Sequence, residues 1–192
     1  MDLHRVGFKF FVEGSTSVQL PEFIPIFHRW IQTHAVDGLL IDVADYAHVQ
    51  GGPGVMLIAH EGNYAVDLGG GRMGLLYYRK QAFGGTLLER LLAVCRTTLQ
   101  GCRELAQAAE LGGRLRFRGD EITVLANDRL LAPNTQETAA AFQPALAALL
   151  GTLYPAAACT IAREPDPRER FTVAIKAPAP VSIDTLLERL DG

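Results

Sequence analysis

Histidines and carboxylates in the first third of the chain are the residues best suited to chemistry. All five histidines fall within the first 60 residues, and two groups of them carry acidic neighbours. Asp42, Asp45 and His48 follow one another at three-residue steps, and His60 is adjacent to Glu61. Imidazole and carboxylate groups can ligate zinc, iron or manganese, or supply a base with its orienting acid.

Each of these two groups follows a short apolar run that is typical of a strand. If the two strands are neighbours, their polar ends should converge on one site. We therefore predict a ligand site that includes Asp42, Asp45, His48 and His60. His60, Glu61 and His48 are its candidate catalytic groups and metal ligands. The spacing matches no established metal motif, so the alternative is that these residues only hold strand ends by hydrogen bonds.

A second polar group, Asn127-Asp128-Arg129, follows a predicted strand and precedes a predicted helix. It places a donor, an acceptor and a cation in one loop, and loops at strand ends often bind ligands. We therefore include Asn127, Asp128 and Arg129 among the candidate ligand-binding residues. Asn and Asp also favour turns for backbone reasons, which is the alternative explanation.

Two further patterns could contact phosphate groups. Gly69, Gly70 and Gly71 precede Arg72, but this segment leads into a predicted strand and lacks any nucleotide-binding motif, so a hairpin turn accounts for it better. Arg114, Arg116 and Arg118 alternate along one predicted strand and would share a face. Nearby Glu121 and the net charge of −3 disfavour a nucleic-acid-binding role for that face.

The three cysteines indicate a reducing environment. Their number is odd and no CxxC spacing is present. Cys95 and Cys102 are seven residues apart on one apolar stripe, so we expect buried, inert thiols. Together with the absence of a signal-like N-terminus, this pattern predicts a cytoplasmic protein.

The elements that must position these residues are strands in the first half and a mixture in the second. The first half shows an alternating strand, a helix opening at Pro21, and then a meander of short strands separated by glycine turns. The predicted strands cover 6–12, 39–41, 55–59, 64–67 and 74–79.

The second half is more helical. A capping box at Thr86 and Glu89 starts a long amphipathic helix. Next we predict a hairpin of 114–118 and 121–126 around Gly119-Asp120, and a helix capped by Asn134 that is kinked or broken at Pro144. Strands at 156–163 and 170–176 and a final helix capped by Ser182 complete the chain.

Composition places the chain among ordinary globular proteins. It has 192 residues, of which 48% are apolar and 20% charged, with no apolar run long enough to span a membrane. We predict one α+β domain over residues 1–192, with a possible subdivision near 81–85. Its sheet should be mixed but dominated by antiparallel pairs, with about four helices mainly on one face.

Two functions remain open at this level. The first is small-molecule or metal binding at the strand ends of the N-terminal half. The second is a non-enzymatic role as a homodimer, larger homo-oligomer or adaptor, which the Leu- and Ala-rich helices favour. No reaction, substrate or cofactor is indicated by the residue patterns.

Overall fold

The computed structural model describes residues 1–49 and 51–192. Within these residues eight strands form one sheet in the order β2-β3-β4-β5-β1-β6-β8-β7, and every neighbouring pair is antiparallel. The predicted α+β fold with an antiparallel-dominated sheet and four helices is therefore confirmed. The strands are β1 (Val6–Val12), β2 (Leu40–Tyr46), β3 (Gly54–Ala59), β4 (Gly62–Asp67), β5 (Gly74–Arg79), β6 (Phe117–Ala126), β7 (Thr160–Arg163) and β8 (Thr172–Lys176).

In the part of the chain that the structure describes, four α-helices cover one face of this sheet: α1 (Phe23–Thr33), α2 (Leu87–Ala106), α3 (Gln136–Leu153) and α4 (Ile183–Asp191). α2 lies against β1 and β5, α1 lies against β2, and both α3 and α4 pack on α2. Phe8 and Phe10 alternate with Lys9 along β1, so both phenylalanines enter the core beneath the helices. The opposite face carries a small apolar group centred on Met56, Ala65 and Leu76.

Local signals placed α2 and α4 correctly. Thr86 accepts a hydrogen bond from the Glu89 amide, and the Glu89 carboxylate accepts one from the Thr86 amide, which completes the predicted capping box. Ser182 caps α4 by accepting from the Thr185 amide. Each cap satisfies amides that the helix cannot pair internally.

The start and the middle of α3 differ from the prediction. Thr135, not Asn134, is its N-cap, because the side-chain Nδ2 of Asn134 donates instead to the carbonyls of Glu164 and Asp166 at 2.9 and 2.8 Å. The helix also continues through Pro144 instead of breaking there. Pro144 and Ala140 are both exposed, so water can satisfy the Ala140 carbonyl that the proline leaves without a partner.

The predicted hairpin around Gly119-Asp120 is wrong, because these residues lie inside the continuous strand β6. The Gly119 amide donates to the Val181 carbonyl at 2.9 Å, while the Asp120 carbonyl accepts from the Ala177 amide at 2.8 Å. The register of β6 against β1 also shifts between Phe10 and Val12. The glycine therefore forms an irregularity at which β6 turns from β1 toward the segment before α4.

The predicted strand bounds differ most from the observed ones at the two edges of the sheet. β2 runs to Tyr46 rather than ending at Asp42, and it is largely exposed because only β3 pairs with it. β7 begins at Thr160 rather than Ala156, and β8 begins at Thr172. Strands from both sides of residues 81–85 share the sheet through the β1–β6 pair. In the described chain, no helix is long and apolar enough to cross a membrane.

Candidate functional site

The predicted histidine and carboxylate groups do not converge. β2 and β3 are indeed neighbours, but they run antiparallel, with Leu40 opposite Ala59 and Tyr46 opposite Gly54. His48 therefore follows β2 at the end of the sheet where β1 finishes, called here the Val12 end. His60 follows β3 at the other end, called here the Val6 end. The five residue steps from Gly54 to Ala59 separate the two ends by about 17 Å, so His48 and His60 do not share one small site as predicted.

The Val6 end holds Glu61 in a backbone role. Its carboxylate accepts from the Leu39 amide at 3.0 Å, and this hydrogen bond lowers the pKa of Glu61. The His60 amide donates to the Leu39 carbonyl at 2.8 Å, while the imidazole is exposed. These contacts fix the start of β2, as the strand-end alternative requires.

The remaining residues of the predicted cluster lie on or after β2. Asp45 accepts from the Ala47 amide at 2.8 Å and so shapes the turn that leads to His48. Asp42 is exposed on the edge strand. Over residues 1–49 and 51–192, no group of three or more His, Cys, Asp or Glu side chains is arranged to hold a metal ion.

The Asn127-Asp128-Arg129 loop lies at the Val6 end, directly after β6. The Asp128 carboxylate accepts from the amides of Leu130 and Leu131 at 3.2 and 3.1 Å. β4, β5 and β1 lie between β6 and β3, so the loop and His60 are about 19 Å apart by strand spacing alone. The loop therefore cannot join His60 in one small site, and its own ligand-binding role stays a prediction.

The glycine segment is the turn between β4 and β5, with Gly69–Gly71 forming a short 3-10 helix. The Lys9 ammonium crosses from β1, pairs with Asp67, and donates to the carbonyls of Gly69 and Arg72 at 3.2 and 2.8 Å. The turn thus directs carbonyl oxygens at the protein's own cation. A phosphate-binding loop would instead direct amides at its ligand.

A groove of about 520 Å³ opens at the Val12 end between the last turn of α2, the start of β6 and the first turn of α4. Its volume is within the range of small-molecule sites. Val181, which lines the groove, approaches β6 closely at Gly119. A side chain at position 119 would collide with the Val181 carbonyl. The polar residues that line the groove are Glu13, Arg103, Gln107, Arg116, Arg118, Asp120, Ser182 and Asp184.

One wall of the groove is an internally neutralised ion-pair network. Arg118 donates from Nε and Nη2 to the two carboxylate oxygens of Asp120, at 3.0 and 2.7 Å. This pairing lowers the pKa of the largely buried Asp120 and raises that of Arg118. Glu121 also contacts Arg118 at 3.3 Å and forms a two-pronged pair with Arg72, whose guanidinium stacks on Phe11 at 4.1 Å.

Two other arginines in the groove keep their charge available. Arg103 projects from the last turn of α2, and Arg116 immediately precedes β6. Neither forms an ion pair with any carboxylate in the part of the chain that the structure describes. The N-terminus of α4 lines the same groove and adds a partial positive charge.

The alternation of Arg114, Arg116 and Arg118 in the sequence indicated this part of the molecule. It did not indicate which arginines line the groove without an ion-pair partner. Arg114 pairs with Glu22 and Arg118 with Asp120, so only Arg116 of the three remains unpaired in the described chain. Nothing near Arg103 in the sequence suggests a site. Only the packing of α2 on β1, the strand that pairs with β6, brings it there.

The protein thus consists of one antiparallel sheet that is covered by helices on one face and has an arginine-containing groove at one end. No family model matches the chain, and no curated protein or solved structure shows significant similarity to it.

Proposed function

We propose that the protein binds a small anionic molecule in the groove between α2, β6 and α4. The observation that carries this proposal is that Arg103 and Arg116 line a cavity of about 520 Å³ without ion-pair partners among the described residues. A guanidinium presents parallel N–H donors that match the two oxygens of a carboxylate or phosphate group. Burying such a ligand beside two available cations supplies both affinity and orientation.

The ion pair in the groove wall supports a binding role. Asp120 is held ionised by Arg118, so it is suited to orienting that arginine rather than to donating a proton. Gln107 and Ser182 offer neutral polar groups nearby that can fix the uncharged part of a ligand. The predicted small-molecule function therefore stays as a proposal, with a different set of residues.

Titration calorimetry with inorganic phosphate, citrate and simple phosphate monoesters tests the proposal. We expect at least one of these anions to bind at millimolar or lower concentration. Arg103→Gln and Arg116→Gln should each weaken binding by about tenfold or more, because each removes a charge-assisted hydrogen bond. An absence of binding across this panel would refute the proposal.

Arg5→Gln is the matched control for these variants. Arg5 is exposed and has no ion-pair partner in the described chain, and it directly precedes β1 at the Val6 end of the sheet, away from the groove. Its loss should leave affinity unchanged. Equal weakening in Arg5→Gln would assign the effect to net charge rather than to the groove.

Self-association is a second proposed function, favoured by one specific observation. The sequence contains no charged residue between Glu137 and Arg163, although this stretch includes the exposed side of α3. Surface helices usually carry charges on their solvent side. A second copy covering this side would explain their absence.

We also infer that the protein works in a reducing compartment such as the cytoplasm. Cys95, Cys102 and Cys159 are all unpaired. Secreted proteins commonly pair such thiols, whereas cytoplasmic ones keep them reduced.

A further inference from the structure

We propose that two copies of the chain meet at the groove between α3 and β7, with Ile161 of each copy against the groove of the other. This inference rests on the proposed self-association and specifies where it occurs. The groove has a volume of about 300 Å³ and is lined mainly by Ala147, Leu150, Gly151, Tyr154, Cys159 and Ile161.

Ile161 is the most informative residue of this surface. It lies opposite Ile175 of β8 and therefore shares the helix-covered side of the sheet. Ile175 is 1% exposed, whereas Ile161 is 51% exposed, because the helix layer stops at α3 before it reaches the edge strand. An additional apolar element seated beside α3 would bury Ile161 as the helices bury its neighbour.

The outward side of α3 continues this surface. From Ala140 to Gly151 it extends about 16 Å along the helix axis. Its exposed residues are all small or uncharged: Ala140, Ala141, Gln143, Pro144, Ala147, Ala148 and Gly151. Small side chains let a second backbone approach closely.

The charge pattern favours a second copy over a different partner. In a twofold contact each patch meets itself, so a charge near the axis would face its own equivalent and repel it. This patch has none. Arg163, at the end of β7, is turned away into hydrogen bonds with the carbonyl and side chain of Asn134 at 3.1 and 2.7 Å.

Two other surfaces are poorer candidates for this contact. The other sheet edge, β2, carries a bulge at Ile41 and the exposed charges of Asp42 and Asp45, features that discourage pairing with another strand. The uncovered sheet face is apolar at its centre, but Met56 and Leu76 there are only 8% and 9% exposed. That centre offers little area to bury.

Sedimentation equilibrium at micromolar concentrations tests the proposal. We expect the wild-type chain to have about twice its monomer mass of 20.9 kDa. Ala147→Glu and Ile161→Glu should each return it to the monomer mass, because each buries a like-charge pair at the contact. Ala93→Glu, at an exposed alanine of α2, is the matched control and should remain dimeric.

Labelling of Cys159 gives a second readout on the wild-type chain. Cys159 lines the groove and is partly exposed, whereas Cys95 and Cys102 are buried. Dimer formation should slow labelling of Cys159 as protein concentration rises. This measurement tests the α3–β7 contact even if a glutamate variant fails to fold.

The possible results distinguish self-association itself from the proposed α3–β7 contact. A wild-type chain that is monomeric at every concentration overturns self-association and this contact together, and leaves the surface to a different partner. A dimer that survives both glutamate substitutions, with Cys159 labelling independent of concentration, overturns the α3–β7 contact but leaves self-association intact.

Discussion

Arg118 and Asp120 are two residues apart on β6 and are joined by two parallel hydrogen bonds, at 3.0 and 2.7 Å. They flank Gly119, whose amide and carbonyl contact Val181 and Tyr154 instead of β1. The pair thus spans the irregularity in β6. This part of β6 forms one wall of the groove between α2, β6 and α4. Its strength should affect both the stability of the fold and the shape of the groove.

Replacing Asp120 should reduce stability in a pH-dependent way. Arg118 lowers the pKa of folded Asp120 below its usual value of 3.8. The resulting stabilisation is fully present above that usual value and is lost as pH falls through the folded pKa. We expect Asp120→Asn to lower the free energy of unfolding at pH 7 by about 2 kcal/mol, with a smaller difference near pH 2.

Urea unfolding at pH 7 and at low pH measures this difference. Glu188→Gln is a suitable control, because Glu188 is exposed and its side chain has no ion-pair partner in the described chain. A constant difference between wild type and Asp120→Asn at all pH values would contradict the pairing.

The Lys9–Asp67 pair should matter more when one member is removed than when both are. Lys9 is almost completely buried, and burial lowers its pKa. Lys9→Met leaves the Asp67 charge poorly compensated and frees two turn carbonyls, so we expect a loss of about 3 kcal/mol. Lys9→Met/Asp67→Leu should recover part of this loss. A double-mutant cycle by chemical unfolding measures the coupling, and additive losses would show that the two residues act independently.

Two glycine-to-alanine substitutions should have opposite effects. Gly54 has φ of +68°, and a Cβ there would collide with the Val66 carbonyl oxygen. Gly54→Ala should therefore destabilise the protein by about 2 kcal/mol or more. Gly151 lies inside α3 with open space around it in the single chain, so Gly151→Ala should add about 0.5–1 kcal/mol to the free energy of unfolding of the monomer. Thermal melts of both variants test the contrast, and a stabilised Gly54→Ala would be inconsistent with this backbone geometry.

One of the three thiols should react with a disulfide reagent in the native protein. Burial raises the pKa of Cys95 and Cys102, which leaves almost no thiolate to react. Burial raises the pKa of Cys159 as well, but this residue is partly exposed, so Cys159 should react faster than the other two thiols. Cys159→Ser should abolish this fast phase, while denaturant should expose the two remaining thiols. A fast phase that persists in Cys159→Ser would mean that α2 opens readily.

Features determined by neighbouring residues could be predicted from the sequence. The alternation of Phe8, Lys9 and Phe10 identified β1, and the Thr86–Glu89 capping box identified the start of α2. These patterns depend on backbone geometry and on contacts within a few residues. The antiparallel class followed as well, because short glycine turns leave no length for a crossover between parallel strands.

The placement of distant groups was decided only by the tertiary structure. Antiparallel pairing of β2 with β3 sent His48 and His60 to opposite ends of the sheet. The sequence Gly119-Asp120 is typical of a hairpin turn, but in the structure Gly119 contacts Val181 and β6 is continuous. Arg103 and Arg116 line one groove because α2 packs on β1, the strand that pairs with β6. Local patterns specify which segments are helix or strand, whereas pairing direction and packing depend on contacts between residues far apart in the chain.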